Sequence, residues 1–317
     1  MGSAKKTDPT RGFTAEELNR LRTREPRLYG ALERGEVAAE GAARGWLRQA
    51  SAAVQLPLWP EPLRAVPNGF LRSALFRATH HKGRRPYLDG EKLATVAGIE
   101  ITYSGPRLDQ GDLDTWEAIL HTLRGQDMGE KCRTTSYHLL KVMGVKDTGK
   151  AREVLETRIK RLNKSAIEIE SGDYLYMGSL LDSAARDKAT QEWVITLNPE
   201  LLKLFAPDQF TLIQWRTRRA LATRPLAQWL HGYFSTHAAP FPVKVETLHH
   251  LCGSETEEMK HFVQALKRAL EALEAASAAA GTPIDWRIEG GLVYVERTPT
   301  PSQRRHLAKR GGTIPSK

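Results

Sequence analysis

One run of residues in this chain nearly spells a phosphate-binding loop: Gly144-Val-Lys-Asp-Thr-Gly149-Lys150-Ala151. Such a loop cradles phosphates with backbone N–H groups. It also needs Ser or Thr after the Lys to hold magnesium, and a buried strand in front. Here Ala151 follows Lys150 and the preceding residues have amphipathic helical spacing, so the run reads as a turn between helices. No apolar run ending in Asp supplies a metal-coordinating strand elsewhere. A DNA-nicking site built on a His-apolar-His metal motif fails on spacing, because His80-His81 and His249-His250 are adjacent pairs. Glu168, Glu170 and Asp173 fall on a strand and its turn, where solvated acids are ordinary. Cys132 and Cys252 are far apart with no second Cys near either, which rules out a zinc knuckle or a CxxC pair and reads as two reduced thiols. The expectation is a non-catalytic protein with no cofactor and no metal.

What remains is cationic chemistry on helices. At 100° per residue, the segment 150–164 places Ala151, Val154, Leu155, Ile159 and Leu162 on one side, and Lys150, Thr157, Lys160, Arg161 and Lys164 on the other. A later segment repeats the design. Met259, Phe262, Val263, Leu266, Leu270 and Leu273 form its stripe, and Lys260, His261, Gln264, Lys267 and Arg268 its exposed face. A charged face of this kind is either plain solvated surface or a polyanion contact. Glu153 and Glu257 near the helix starts either accept from cytosine amino groups or simply complement the helix dipole.

The elements around these helices favour the contact. Residues 134–197 and 245–297 each read as a short helix, a turn, a long basic helix and a β-hairpin. In the first copy the short helix spans 134–143. After the long helix, 166–170 and 174–181 form a hairpin about 171–173. A polar loop at 182–190 carries Arg186 and Lys188 near its tip, and a third strand covers 193–197. In the second copy a capping box at Ser254-Glu255-Thr256-Glu257 opens the long helix, and 284–288 and 292–295 pair about Glu289-Gly290-Gly291. A helix-turn-helix puts its second helix in the major groove, and an adjoining hairpin reaches the neighbouring backbone or minor groove. Upstream, 98–104 reads as a strand, followed by a helix capped by Asp114, with Trp116, Ile119, Leu120 and Leu123 buried. Asn198-Pro199 starts the second half, and the helical stretch 215–234 breaks or kinks at Pro225.

The fold class is therefore α+β, with two tandem winged-helix domains at 63–198 and 199–297. A flexible N-terminal extension (1–62) and a basic tail (298–317) flank them. A capping box at Thr14-Ala15-Glu16-Glu17 marks one short helix in an extension otherwise expected to be mostly disordered or weakly helical. With 317 residues the chain can bury two ordinary cores, and a net charge of +10 favours a polyanion over an acidic protein partner. The tail holds Arg304, Arg305, Lys309, Arg310 and Lys317 without an acid, either a solvated tail or a phosphate-binding arm. No run approaches the ~18 apolar residues of a membrane span, so no membrane partner is expected and the expected location is the cytoplasm.

Several segments are recognisable. Arg64-Ala-Val-Pro-Asn68, Arg72-Ser-Ala-Leu-Phe76, Ile101-Thr-Tyr-Ser-Gly105 and Trp116 lie in the first half. Gly232-Tyr-Phe-Ser-Thr-His237, Pro240-Phe-Pro-Val-Lys-Val-Glu-Thr247 and Leu251-Cys-Gly-Ser-Glu255 lie in the second. Together, over about 55–297, they closely resemble the TrfA family of plasmid replication initiators. The resemblance implies binding to double-stranded origin repeats (iterons), melting of an adjacent AT-rich segment with contact to its single strand, and self-association to a dimer. The implied host partners are the replicative helicase, the initiator ATPase and the sliding clamp. Gln55, Leu56, Leu58 and Trp59 are similar to the Gln-Leu-x-Leu-aromatic pentapeptide that docks on that clamp; the alternative is an apolar linker packed on the chain's own domain. Glu257 and Glu258 make the second recognition helix more acidic at its start than the family pattern, which points to a different iteron.

The expected base contacts are Lys150, Thr157, Lys160 and Arg161 in the first helix, with Thr256, Lys260, His261 and Gln264 in the second. Lys164, Arg186, Lys188, Lys267 and Arg268 are the expected phosphate contacts. The other function this sequence allows is a plasmid-encoded winged-helix transcriptional repressor, which needs neither clamp docking nor melting.

Overall fold

The structure is a computed structural model, and it describes residues 10–309 except 11, 37, 52–55, 80–84, 97, 127–130, 172–173, 188 and 207. The chain divides into two compact units, residues 1–54 and 55–317.

In the first unit Thr14 caps α1 (Ala15–Arg24). Its hydroxyl accepts from the Glu17 N–H at 3.2 Å, and the Glu17 carboxylate accepts from the Thr14 N–H at 2.7 Å. Pro26 opens α2 (Pro26–Glu33), and α3 covers Ala39–Ser51. Leu21, Leu32, Ala39 and Ala43 are buried together. Of the two expectations for this extension beyond its first helix, mostly disordered or weakly helical, the described residues follow the helical one. Small alanines let helices approach closely, so few large apolar residues suffice for a cluster.

The second unit begins with β1 (Leu63–Pro67) and the single turn α4 (Asn68–Leu71), then β2 (Phe76–Arg77), β3 (Tyr87–Lys92), β4 (Glu100–Pro106) and β5 (Leu108–Asp109). Next comes α5 (Gln110–Leu123), whose N-cap is Asp109, not Asp114: the Asp109 carboxylate accepts from the N–H groups of Gly111 and Asp112. Asp114 and Glu117 lie inside the helix, and Trp116, Ile119, Leu120 and Leu123 are buried as expected. After it run β6 (Cys132–Thr135), α6 (Ser136–Met143), α7 (Gly149–Asn163), β7 (Ala166–Ser171), β8 (Tyr174–Gly178), β9 (Ser183–Arg186) and β10 (Glu192–Thr196).

Pairing in this region departs from the sequence reading. The hairpin β7–β8 joins β4 in a four-stranded sheet ordered β3-β4-β7-β8. A separate three-stranded sheet, ordered β6-β10-β9, holds the strand before α6 and a second hairpin. The expected loop at 182–190 thus contains β9, paired with β10 through Trp193↔Arg186 and Thr196↔Ser183. The hairpin that flanks the helix pair is β9–β10, and β7–β8 is inserted between α7 and that hairpin.

Asn198 caps a 3-10 helix (Pro199–Phe205), followed by β11 (Phe210–Gln214), which pairs antiparallel with β1. Leu201, Leu204, Phe205 and Ile213 belong to the first hydrophobic core, so chain past residue 198 completes that core. Next comes α8 (Trp215–Ala220), and the second core is built on α9 (Pro225–Ser235), β12 (Val243–Lys244), α10 (Val245–Leu251), α11 (Met259–Ala279), β13 (Ile284–Glu289) and β14 (Leu292–Arg297). Pro225 separates α8 from α9, as expected, and sits in the first turn of α9. The strands order β12-β14-β13, the counterpart of β6-β10-β9. The last helix, α12 (Pro301–Lys309), occupies part of the expected tail: Gln303 Nε2 donates to the Ser235 carbonyl at 2.9 Å, and Arg297 donates to the His237 carbonyl at 2.8 Å.

Candidate nucleic-acid interface

Gly144, in the left-handed region at φ 68°, closes α6, and four residues later Thr148 caps α7 by accepting from the Ala151 N–H at 3.2 Å. Leu155, Ile159 and Leu162 are buried, which turns the opposite face of α7 outward; Val154, expected on the apolar side, is 40% exposed. Lys150, Thr157, Lys160 and Lys164 are exposed. The Thr157 hydroxyl donates back to the Glu153 carbonyl at 2.8 Å. Lys160 and Arg186 both reach Glu156, at 2.7 and 2.6 Å, and the Arg186 guanidinium lies 5.8 Å from the centroid of the Trp193 ring. Those bonds, from Lys160 first, hold the Glu156 carboxyl below its ordinary range. Arg186 is therefore a strand residue tying β9 to α7, while Lys188 lies outside the described residues.

Arg161 is placed differently from expectation. Its guanidinium bonds Asp112 Oδ1 through Nη2 at 2.7 Å and Nε at 3.0 Å, its side chain is 16% exposed and Asp112 is fully buried. A helical wheel puts Arg161 with the cations, but it sits at the edge of that face, and its long side chain reaches inward to α5. The base-contact expectation for Arg161 is corrected to a structural ion pair.

That pair belongs to a buried charge cluster around the first turns of α5. Arg85 donates to Asp112 at 2.9 Å and also pairs with Asp109. The fully buried Arg218 of α8 bonds Asp114 at 2.6 Å and stands 3.4 Å from Glu117. Gln228 of α9 donates to Asp114 at 3.2 Å. Burial pushes the Asp112 carboxyl up, the charge of Asp109 adds to this, and Arg161 and Arg85 oppose it. Burial works upward on Asp109 too, but Arg85 and Arg158 prevail and hold it low. Glu117 is pushed up to about 8 by burial, against the pull of Arg218, and neither of its oxygens has a hydrogen-bond partner. Arg161, Arg218 and Gln228 thus dock α7, α8 and α9 on the same helix.

In the second core, α11 starts at Met259, with no side-chain cap from Glu258. The capping-box expectation at 254–257 is corrected: Ser254 Oγ accepts from the Thr256 N–H at 3.3 Å, a turn ahead of the helix. Thr256 is half-buried there, its carbonyl accepting from His249 Nε2 at 2.8 Å. The expected stripe is realised, with Phe262, Leu266, Leu270 and Leu273 buried and Met259 and Val263 partly so. Lys260, His261, Gln264, Lys267 and Arg268 are all exposed, and Lys260 is 2.7 Å from Glu258. Lys146 on the α6–α7 turn and Arg287 on β13, 4.2 Å from the Tyr294 ring centroid, are exposed cations that the sequence reading did not single out. Alternation of Trp286, Arg287 and Ile288 along the strand was the signal for Arg287.

The pentapeptide residues divide. Leu56 and Trp59 are buried in the first core, 1% and 4% exposed, and the Trp59 indole donates to His121 Nδ1 at 3.0 Å. Leu58 is 74% exposed, and Gln55 lies outside the described residues. Among the described residues, no helix is long and apolar enough to cross a membrane, and no group of three or more His, Cys, Asp or Glu is placed to hold a metal ion.

The family model described as TrfA protein matches residues 48–285. The chain belongs to the TrfA family. Its similarity to the plasmid replication initiator protein TrfA of Escherichia coli is 30% identity over 228 residues, covering 69% of this chain and 58% of that protein. RepFIB replication protein A of Salmonella typhi is 27% identical over 192 residues, covering 57% and 59%. The matches with these two relatives thus span less than two thirds of the relatives' own lengths. Among solved structures, domains 2 and 3 of RctB align with a TM-score of 0.49 at 14% identity, over 73% of this chain and 96% of that one.

Proposed function

We propose that this TrfA-family protein is a plasmid replication initiator that binds origin iterons through two winged-helix modules. In this reading α5, β6, α6, α7 and β9–β10 make one module, and α9, β12, α10, α11 and β13–β14 make the other. The observation that carries it is the repetition. Twice, a strand leads into a short helix, a turn and a long helix with an exposed cationic face, and that strand pairs with the last strand of a following hairpin.

Readout falls to Lys150, Thr157 and Lys160 on α7 and to Lys260, His261 and Gln264 on α11. Lys164, Lys267 and Arg268 neutralise phosphates, and the two hairpins reach the flanking backbone. The chain performs no chemistry on DNA; it binds, opens the AT-rich segment, holds its single strand and recruits host helicase and initiator ATPase. Clamp docking through Gln55, Leu56, Leu58 and Trp59 requires Leu56 and Trp59 to leave the core, so it follows a local opening of that segment.

Permanganate footprinting on a supercoiled plasmid carrying the gene's flanking repeats tests the proposal. Reactive thymines beside protected repeats are the expected result. Protection without reactive thymines, at saturating protein and with the host initiator present, would instead identify a repressor.

A further inference from the structure

A concave site of about 420 Å³ opens between the start of α7 and α8, on the flank of α7 where Val154 and Arg158 stand one turn apart. Its floor is apolar, made by Leu140, Met143, Leu155 and Trp215, all of them buried. Val145 and Val154 also line it, yet they stay 43% and 40% exposed. Apolar side chains left open around a concavity are what a ligand or partner would cover. The run 144–151, which lacks the Ser or Thr of a phosphate-binding loop, supplies one wall.

The uncompensated charges around it are positive. Lys146, Lys150 and Arg219 are exposed, and Arg158 is half-buried. The acid among the lining residues, Asp114, is already taken by Arg218 at 2.6 Å and Gln228 at 3.2 Å. Asp147, beside Lys146 in the turn, is taken by Arg152 at 2.6 Å. Arg219 is held over that turn by donating to the Gly144 carbonyl at 3.2 Å. Arg158 is different: among the described residues its guanidinium donates no hydrogen bond, and its Nε is sealed from solvent without a partner. Asp109, whose charge it feels, is paired with Arg85. A partly desolvated guanidinium without an acceptor is costly, and an incoming carboxylate returns the lost hydrogen bonds.

We propose that this site docks an acidic peptide segment of a partner protein, anchored by one large apolar side chain. The anchor fills the space over Leu140 and Trp215, and flanking carboxylates pair with Arg158 and with the cations at the mouth. A phosphate backbone fits this pattern less well, because it offers nothing apolar to cover Val145 and Val154. The volume lies toward the lower end of ligand-sized pockets, roughly 300–1,000 Å³, and suits one large side chain with its neighbours. Lys150 belongs both to this wall and to the proposed DNA-reading face. The docking proposal rests on Arg158 and the apolar floor, and so stands apart from the DNA-binding reading.

The test is fluorescence anisotropy of a labelled Glu-Glu-Asp-Trp-Leu-Glu peptide with the full chain and no DNA, so it can fail while the DNA-binding reading holds. Saturable binding is expected, weakened about tenfold or more when the acids become amides or when Trp-Leu becomes Ser-Ser. Arg158→Gln and Val154→Glu should each weaken it about tenfold or more, with circular dichroism and Tm unchanged. Val154 is at an exposed position, so its variant remains a test even where Arg158→Gln loosens α7. No saturable binding, equal binding of the Ser-Ser peptide, wild-type affinity in both variants, or complete displacement by inorganic phosphate at constant ionic strength would each overturn the proposal.

Discussion

Arg161 on α7 and Asp112 in the first turn of α5 are joined by two hydrogen bonds, at 2.7 and 3.0 Å, to a single carboxylate oxygen that is sealed from solvent. This cation of α7 is thereby committed to holding that helix in place. Loss of one member of a buried pair leaves the other charge uncompensated.

Arg161→Ala should therefore act on stability. Removing one partner of a buried pair costs about 3–5 kcal/mol. Arg85 still bonds Asp112, so a loss nearer ~2–4 kcal/mol is expected on the same scale. Urea denaturation measures it. If stability is unchanged while affinity for cognate DNA alone falls, Arg161 reads bases after all.

Lys267 and Arg268 are exposed on α11 and are assigned to phosphates. The double alanine variant should weaken cognate and random DNA alike. It should flatten the plot of log affinity against log salt by about 2, since each phosphate contact contributes a slope near 0.9. An unchanged salt slope removes both residues from the interface.

The segment carrying Leu56, Leu58 and Trp59 separates two effects. Leu56→Ala and Trp59→Ala open the core and should each lower stability by about 2–5 kcal/mol. Leu58→Ala, at an exposed position, should stay within about 0.5 kcal/mol of the wild type. Leu58→Ala is thus the clean probe of clamp docking, read by pull-down with purified clamp. Equal melting temperatures for all three variants would show that the segment is not packed on the core.

Glu117 makes a pH prediction. Its carboxyl is raised in the folded chain to about 8 from an ordinary 4.5, chiefly by burial. The unfolded chain loses that proton near the ordinary value while the folded chain keeps it. The contribution is full below the unfolded pKa and is lost as pH rises to the folded one, with a slope of up to about 1.4 kcal/mol per pH unit. Glu117→Gln cannot ionise, so its stability relative to the wild type should improve steadily from about pH 4.5 to 8. A difference that is flat with pH would show that Glu117 is ionised in the fold.

The sequence by itself determined the elements whose signal is local. The apolar stripes of α7 and α11, the strand β4, the hairpin β13–β14, the Asn198 cap and the break at Pro225 each follow from spacing or backbone restriction within a few residues. The exposed cations of α11 are legible for the same reason. Tertiary structure alone decided which strands meet. The hairpin β7–β8 has good local alternation, but its place beside β4 depends on pairing across more than sixty residues, such as Tyr103 with Ile167, which no local period encodes. It also decided the fate of long side chains. Arg161 and Lys160 are neighbours with the same charge, yet one reaches a buried carboxylate on α5 and the other is exposed. Leu56 and Leu58 differ for a similar reason, one turned into the core and the other to solvent. Periodicity reports which way a Cβ points, whereas a partner in space decides what the end of the side chain does.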